Sequence, residues 1–120
     1  MAQVLALVDD IFFGAKLRET AKQLGVELRI FSTPSALFDA HLKESPLLVI
    51  VDLNGQNAPL ETIKRLCSAT PRPRVISFLS HVQVELAEKA RAAGCEVVMP
   101  RSRFTRDLAT ILMEVKSQSA

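Results

Sequence analysis

The chain has 120 residues, of which 48% are hydrophobic and 23% are charged, a size and composition typical of one folded domain with a single core. This balance excludes an intrinsically disordered chain, and no apolar run approaches the roughly eighteen residues of a membrane-spanning helix. Fifteen basic residues against thirteen acidic ones give a net charge of +2, too small to indicate binding to nucleic acid or to a membrane. We therefore predict a single domain over residues 1–120.

The N-terminal segment lacks the features of a secretion signal. It has no basic start, and two carboxylates, Asp9 and Asp10, follow the first apolar run directly. Cys67 and Cys95 have no metal-ligand spacing, which favours reduced thiols that pack inside the protein. We therefore expect a cytoplasmic protein.

The first half of the chain predicts a strand, a helix, a strand and a helix in turn. The apolar run 4–8 predicts a buried strand, and apolar residues spaced i, i+4, i+7 between 17 and 24 predict a helix that stops at Gly25. Residues 26–30 alternate strictly, which predicts a strand with one solvated side at a sheet edge. Thr33 is a predicted N-cap, and the proline after it starts the second helix.

The second half of the chain repeats this alternation. The runs 47–51, 74–79 and 97–99 predict three more strands, of the apolar kind that is covered on both faces of a parallel sheet. An amphipathic stretch follows each run; the second of these stretches closes at Gly94, and Ser102 is the predicted cap of the last helix. Five strands alternating with five helices predict an α/β domain with a parallel sheet and right-handed crossovers.

Polar side chains stand at the predicted carboxyl ends of the strands: Asp9 and Asp10, Asp52, Ser80 and, after the fifth strand, Arg101. Ligands of open parallel sheets bind beyond these ends. Three carboxylates at one rim repel one another unless a cation intervenes, and Mg²⁺, which prefers oxygen ligands and acts with phosphate, is the simplest such cation. Each residue alone is a common loop former or cap, so the prediction depends on the set.

Four short motifs occur in order along the chain: Val8-Asp9-Asp10, Val49-Ile50-Val51-Asp52, Leu79-Ser80 and Ala92-Ala93-Gly94-Cys95. No single motif is specific, but the ordered set resembles the receiver domain of bacterial response regulators over essentially the whole chain. The resemblance implies a three-layer, doubly wound, flavodoxin-like (βα)5 fold with a parallel sheet of strand order 2-1-3-4-5.

The resemblance also implies a phosphorylation site. The phosphoacceptor would be Asp52, and the ligands of a Mg²⁺ ion would be Asp9, Asp10, Asp52 and the backbone carbonyl of Asn54. Ser80 and Arg101 would contact the phosphoryl group. Asp52 would take that group from a phosphohistidine of a sensor histidine kinase or phosphotransfer protein, or from a small phosphodonor. The protein would then be a signalling domain and not an enzyme, at most catalysing its own phosphotransfer.

Three features depart from the family pattern. The family has a lysine where this chain has Arg101, whose longer planar fork need not reach the same oxygen. The family's aromatic switch residue falls on Val98, and the loop after Asp52 lacks the usual Met-Pro pair. Two hypotheses therefore stay open: a stand-alone phosphoacceptor of a bacterial phosphorelay, which we favour because every acidic ligand is present, and, as the alternative, a pseudo-receiver that is not phosphorylated and signals by binding.

Three further residues lie close to the predicted site. His81, beside Ser80, could hydrogen-bond there or could simply be solvated. Phe12 and Phe13 follow the acidic pair, and we expect both to pack into the core as a helix-start staple; the alternative is an apolar lip that excludes phosphodonors or docks a partner.

The expected partners are the phosphodonor protein and an unidentified effector, which the resemblance places at the face formed by helix four, strand five and helix five. We expect a monomer or weak dimer with no output domain in this chain. A small-molecule enzyme on the same scaffold is disfavoured because no glycine-rich phosphate loop follows the first strand.

Overall fold

The computed structural model of the protein describes residues 2–80 and 83–119, and the predictions for His81 and for a helix face beginning at Val82 lie outside them. Strands and helices alternate along the chain as predicted. In order they are β1 (Val4–Leu7), α1 (Ile11–Leu24), β2 (Leu28–Phe31), α2 (Pro34–Glu44), β3 (Leu48–Asp52), α3 (Pro59–Cys67), β4 (Arg74–Leu79), α4 (Val84–Ala92), β5 (Val97–Pro100) and α5 (Arg101–Ser119).

The strands form one parallel sheet of order β2-β1-β3-β4-β5. The predicted strand order is confirmed, and β2, whose sequence alternates, is an edge strand. The direction of winding reverses between β1 and β3, so the loops after these two strands diverge and leave a crevice at the carboxyl edge. The acidic pair follows β1 and Asp52 ends β3, which places all three carboxylates at this crevice.

Helices cover both faces of the sheet, which confirms the three-layer architecture. On one face α1 and α5 pack through Phe13, Leu17, Phe104 and Leu112. On the other face, α2, α3 and α4 bury Leu37, Phe38, Ile63, Leu66 and Ala90. The central strands β1 and β3 are fully buried because both of their faces are covered, and this explains their continuous apolar runs.

Three phenylalanines form an aromatic cluster directly below the crevice. The ring of Phe13 in α1 lies 4.9 Å from that of Phe78 in β4, and the ring of Phe104 in α5 stacks on Phe78 at 4.7 Å. Such pairs add about 1 kcal/mol each beyond the burial of their surface. The cluster therefore ties the first turns of α1 and α5 to the centre of the sheet.

Several helix ends follow the predicted signals. Gly25 ends α1 in the left-handed conformation at φ 72°, and the Thr33 hydroxyl accepts a hydrogen bond from the Ala36 N–H at 3.4 Å at the start of α2. The prediction for Ser102 was wrong. β5 leads directly into α5 at Arg101, so Ser102 lies inside the first turn and does not cap it.

The expectation that Phe12 and Phe13 both pack into the core is half correct. Phe13 is buried, whereas Phe12 is 88% exposed. Consecutive residues of a helix point about 100° apart, so only one of two neighbours faces the sheet. Phe13 shares its face with Leu17 four residues later, and that alignment decides which phenylalanine is buried.

Among the helices of residues 2–80 and 83–119, none is both long and apolar enough to cross a bilayer.

Candidate functional site

Arg101, Asp10 and Asp52 come together at the carboxyl edge of the sheet. One terminal nitrogen of Arg101, Nη1, lies 3.4 Å from Asp10 Oδ2, and the other, Nη2, lies 3.5 Å from Asp52 Oδ2. These residues come from α5, from the loop before α1 and from β3, so only the folded sheet brings them into contact. The guanidinium group therefore bridges two of the three carboxylates that the sequence predicts at this rim.

Asp52 is the last residue of β3, and only 3% of its side chain is exposed. Its Oδ1 accepts a hydrogen bond from the Asn54 N–H at 2.9 Å. Burial raises the pKa of the Asp52 carboxyl, and the nearby charges of Asp9 and Asp10 act in the same direction, against the Asn54 N–H and Arg101. The net result is a carboxylate whose negative charge the fold tolerates poorly.

Asp10 is the N-cap of α1. Its Oδ1 accepts a hydrogen bond from the Phe13 N–H at 3.0 Å, while its Oδ2 faces Arg101. The Phe13 N–H is the main cause of a lowered pKa of Asp10, and the Arg101 charge lowers the pKa further. Asp10 therefore stays ionised and is engaged through both of its oxygens.

The loop after β3 packs against Asp9. The Gln56 N–H donates a hydrogen bond to Asp9 Oδ2 at 3.1 Å. A Cβ atom at Gly55 would lie 3.2 Å from Asp9 Oδ1 and 3.2 Å from the backbone oxygen of Asp52, so glycine allows this close approach. The loop thus contacts the Asp9 carboxylate, which stays exposed to solvent.

A small cleft remains beside Asp9 and Asp52. Its volume is about 10 Å³, and it is lined by Leu7, Asp9, Ser32, Asp52, Gly55, Asn57 and Pro59. That is close to the lower limit for holding a single water molecule. The cleft therefore has no room for a small-molecule substrate or a flavin.

Arg101 contacts two aromatic rings in addition to the two carboxylates. Its guanidinium carbon lies 4.7 Å from the ring centroid of Phe13 and 5.6 Å from that of Phe78, within the range of cation–π contacts. Arg101 is also the first residue of α5, where the helix dipole disfavours a positive charge. The carboxylates of Asp10 and Asp52 offset that repulsion.

The side chain of Asn54 connects the pocket to the loop before α4. Its Oδ1 accepts a hydrogen bond from the Ser80 N–H, and its Nδ2 donates to Gln83 Oε1 at 2.9 Å. From the sequence we predicted a role only for the backbone carbonyl of Asn54. No local pattern signals the side-chain bridge, because its partners are 26 and 29 residues away.

The other predicted site residues lie further from the carboxylates. Ser80 is exposed and follows β4 directly, and it takes part in the bridge through its backbone N–H. Val98 is partly buried in β5 and packs into the sheet face covered by α4. Val98, at the position where the sequence resemblance expects an aromatic switch residue, is therefore a small side chain packed against the edge of the core.

The donor set predicted for Mg²⁺ does not fit that ion as the side chains are arranged. Within residues 2–80 and 83–119, no three His, Cys, Asp or Glu side chains are placed together as a metal site. Asp9, Asp10 and Asp52 each accept a backbone N–H, and the remaining Oδ2 atoms of Asp10 and Asp52 face Arg101. The divalent cation remains a prediction of the sequence.

Comparison with known proteins gives a match in structure but not in sequence. The chain matches no protein-family model and no curated protein. It is similar in structure to a CheY-like response regulator receiver domain protein from Methanospirillum hungatei JF-1, with 17% identity, a TM-score of 0.81 and coverage of 99% of this chain and 97% of that one.

Two other solved structures extend the comparison. The beryllofluoride-activated DrrB receiver domain has 19% identity and a TM-score of 0.76, and the match covers 98% of this chain and 99% of that one. NtrX from Brucella abortus has 18% identity and a TM-score of 0.79, and the match covers 99% of this chain but 28% of NtrX. The fold of this protein is that of the CheY-like receiver domains of response regulators.

Proposed function

We propose that this protein is a receiver-fold interaction module, a pseudo-receiver whose acidic pocket is held by Arg101 and whose signal passes through protein contacts without phosphorylation. The observation that carries the proposal is the bridge of the Arg101 guanidinium between Asp10 and Asp52. Arg101 thereby pairs with the carboxylate that the sequence predicts as the phosphoacceptor and with one of its predicted metal ligands.

The state of Asp52 supports this proposal. A carboxylate that attacks phosphorus needs an accessible oxygen in line with the leaving group and positive charge beside the transferred oxygens. Only 3% of the Asp52 side chain is exposed, Oδ1 accepts the Asn54 N–H, and Oδ2 faces Arg101. Each oxygen of Asp52 therefore already has a partner in this arrangement, and the side chain is buried.

The proposed output surface lies between α4 and β5. A groove there is lined by Leu79, Gln83, Val84, Ala87, Arg91, Val98, Met99 and Pro100. Val84 is 62% exposed at its edge, and Arg91 is the charged residue of the lining. We propose that an effector protein docks here with apolar side chains flanked by an acidic residue. Binding would not require an aromatic switch, since Val98 forms part of the groove itself.

A phosphoacceptor is the second candidate, and a specific observation favours it. Asp52 ends β3 beside the point where the winding of the sheet reverses, and a planar guanidinium is a strong ligand for phosphoryl oxygens. A similar structure was solved as a beryllofluoride-activated receiver domain. In this version a sensor histidine kinase or phosphotransfer protein supplies the group, Mg²⁺ assists, and Arg101 turns from Asp52 to the phosphoryl oxygens.

Intact-mass spectrometry with a saturating small phosphodonor, phosphoramidate, separates the two candidates. We expect the mass of the protein to stay unchanged with and without Mg²⁺, because Asp52 is buried against Arg101. Asp52→Asn is the matched control, since it keeps the shape of the side chain and removes the nucleophile. Addition of one phosphoryl group to the wild type but not to Asp52→Asn would replace the first candidate by the second.

The oligomeric state, the cellular location and the partners expected from the sequence are also part of this proposal. We propose a monomer or weak dimer in the cytoplasm, with the effector as its partner and without binding to nucleic acid. Sedimentation analysis of the purified chain measures the first of these.

A further inference from the structure

We infer that Arg101 is the resident cation of the acidic pocket and that it competes with Mg²⁺ for the same carboxylate oxygens, so that the pocket contains a latent metal site which Arg101 suppresses. The observation behind this inference is that the guanidinium contacts the Oδ2 atoms of both Asp10 and Asp52.

Arg101 occupies one oxygen of each of two carboxylates, Asp10 and Asp52. Oδ1 of Asp10 accepts the Phe13 N–H, and Oδ1 of Asp52 accepts the Asn54 N–H. The Oδ2 atoms of Asp10 and Asp52 accept no backbone N–H, and both face the guanidinium. A divalent ion bound through one or two carboxylates would need these same atoms.

Moving the Arg101 side chain out of this position would cost free energy. Its guanidinium lies over the rings of Phe13 and Phe78, and its Nε is buried without a hydrogen-bond partner among the described residues. Turning the side chain into solvent would expose the apolar faces of both rings and would leave Asp52 buried without a counter-charge. Metal binding therefore has to displace a cation that the fold holds in place.

Removal of the cation should uncover the metal site. In Arg101→Gln the side chain keeps most of its length and loses its charge, so the two carboxylates repel each other until an ion binds between them. We expect the affinity for Mg²⁺ to rise by about tenfold or more over the wild type, the order expected when a neighbouring unit charge is removed near a protein surface.

The test is a titration of Mg²⁺ alone into the wild type and each variant. Isothermal calorimetry measures the affinity, and the amide NMR shifts of Asp10, Asp52 and Asn54 locate the site. Arg103→Gln is the matched control, because it removes the same charge from the first turn of α5 at an exposed residue that pairs with Asp107 instead. We expect tighter binding in Arg101→Gln only, with shifts centred on Asp52.

Equal Mg²⁺ affinity in the wild type and Arg101→Gln would overturn the inference, and so would equal gains in Arg101→Gln and Arg103→Gln. Circular dichroism confirms that each variant is folded. If Arg101→Gln does not fold, Arg101→Met replaces it, and equal Mg²⁺ affinity in Arg101→Met and the wild type would overturn the inference. The inference does not depend on whether Asp52 is phosphorylated, so its failure and that of the proposed function are separate results.

Discussion

At the scale of single residues, Asp10 and Asp52 contact the same guanidinium group and yet have pKa shifts of opposite direction. The difference lies in burial. The Asp10 side chain is 36% exposed and caps a helix, so its ionised form is favoured, whereas the Asp52 side chain is 3% exposed beside two other carboxylates. The ionised Asp10 therefore stabilises the fold and binds the Arg101 guanidinium, whereas the ionised Asp52 lowers the stability of the fold.

We predict that Asp52→Asn stabilises the protein at neutral pH by about 1 kcal/mol, because it removes a buried negative charge and keeps the shape of the side chain. The pKa of Asp52 is raised in the folded state, so its ionisation lowers the stability of the wild type as the pH rises from 3.8 through the folded pKa. Urea unfolding of the wild type and of Asp52→Asn over this pH range measures the effect. The stability of the wild type should fall as the pH rises, and that of the variant should not show this fall.

Asp10→Asn is the comparison for this prediction, and we expect it to change the stability at neutral pH in the opposite direction. Asparagine still caps α1, but the lowered pKa of Asp10 means that its charge stabilises the fold above its unfolded pKa and that this gain is lost as the pH falls. We expect the variant to be less stable than the wild type at neutral pH. If both variants shift stability in the same direction, burial does not explain the difference between the two acids.

At the scale of elements, the turn between α4 and β5 depends on a close approach to α3. Gly94 lies after the end of α4 at φ 115°, a conformation that favours glycine. A Cβ atom there would lie 2.8 Å from the Cβ of Cys67, at the end of α3. The sequence predicts a helix stop at Gly94, whereas the packing of α3 against the turn is visible only in the structure.

We therefore predict that Gly94→Ala destabilises the protein by about 2 kcal/mol, through backbone strain and displacement of Cys67. Gly14→Ala is the control: the residue lies in α1, and its new Cβ would contact the Ile30 side chain at an ordinary 3.4 Å. We expect this change to be neutral or stabilising by up to about 1 kcal/mol, since alanine favours a helix. Thermal unfolding of the two variants measures the contrast, and similar losses in both would contradict it.

At the scale of the whole molecule, the acidic pocket and the proposed docking groove are joined by hydrogen bonds. Asp52 binds the backbone of Asn54, and the side chain of Asn54 bridges to Ser80 and Gln83 at the start of α4. Gln83 also lines the groove between α4 and β5. A change at the pocket can thus reach the docking surface over a short path of named contacts.

We predict that Asn54→Ala loosens the first turn of α4. The Ala87 N–H, which donates to the Gln83 carbonyl, should exchange with solvent on the order of five- to tenfold faster, the effect of losing a net hydrogen bond or two. Asn57→Ala is the matched control in the same loop, since the Asn57 side chain donates to the Ser32 carbonyl on the other side of the crevice. Hydrogen exchange by NMR measures both, and equal effects at Ala87 would contradict the path.

The sequence by itself determined the strand and helix alternation, the parallel sheet and the edge to which the acids belong. These features are local: apolar runs, helix periodicity and caps such as Gly25 depend on neighbours within a few residues. It also placed Asp9, Asp10, Asp52 and Arg101 at one rim, because the carboxyl ends of parallel strands share an edge.

Only the tertiary structure decided how that rim is arranged. The contact of Arg101 with both Asp10 and Asp52 spans 91 and 49 residues, and the bridge from Asn54 to Gln83 spans 29. The burial of Phe13 and the exposure of Phe12 likewise depend on which side of α1 meets the sheet. Distances between side chains on different elements are set by packing, which no local pattern encodes, so only the structure could show that Arg101 contacts both Asp10 and Asp52.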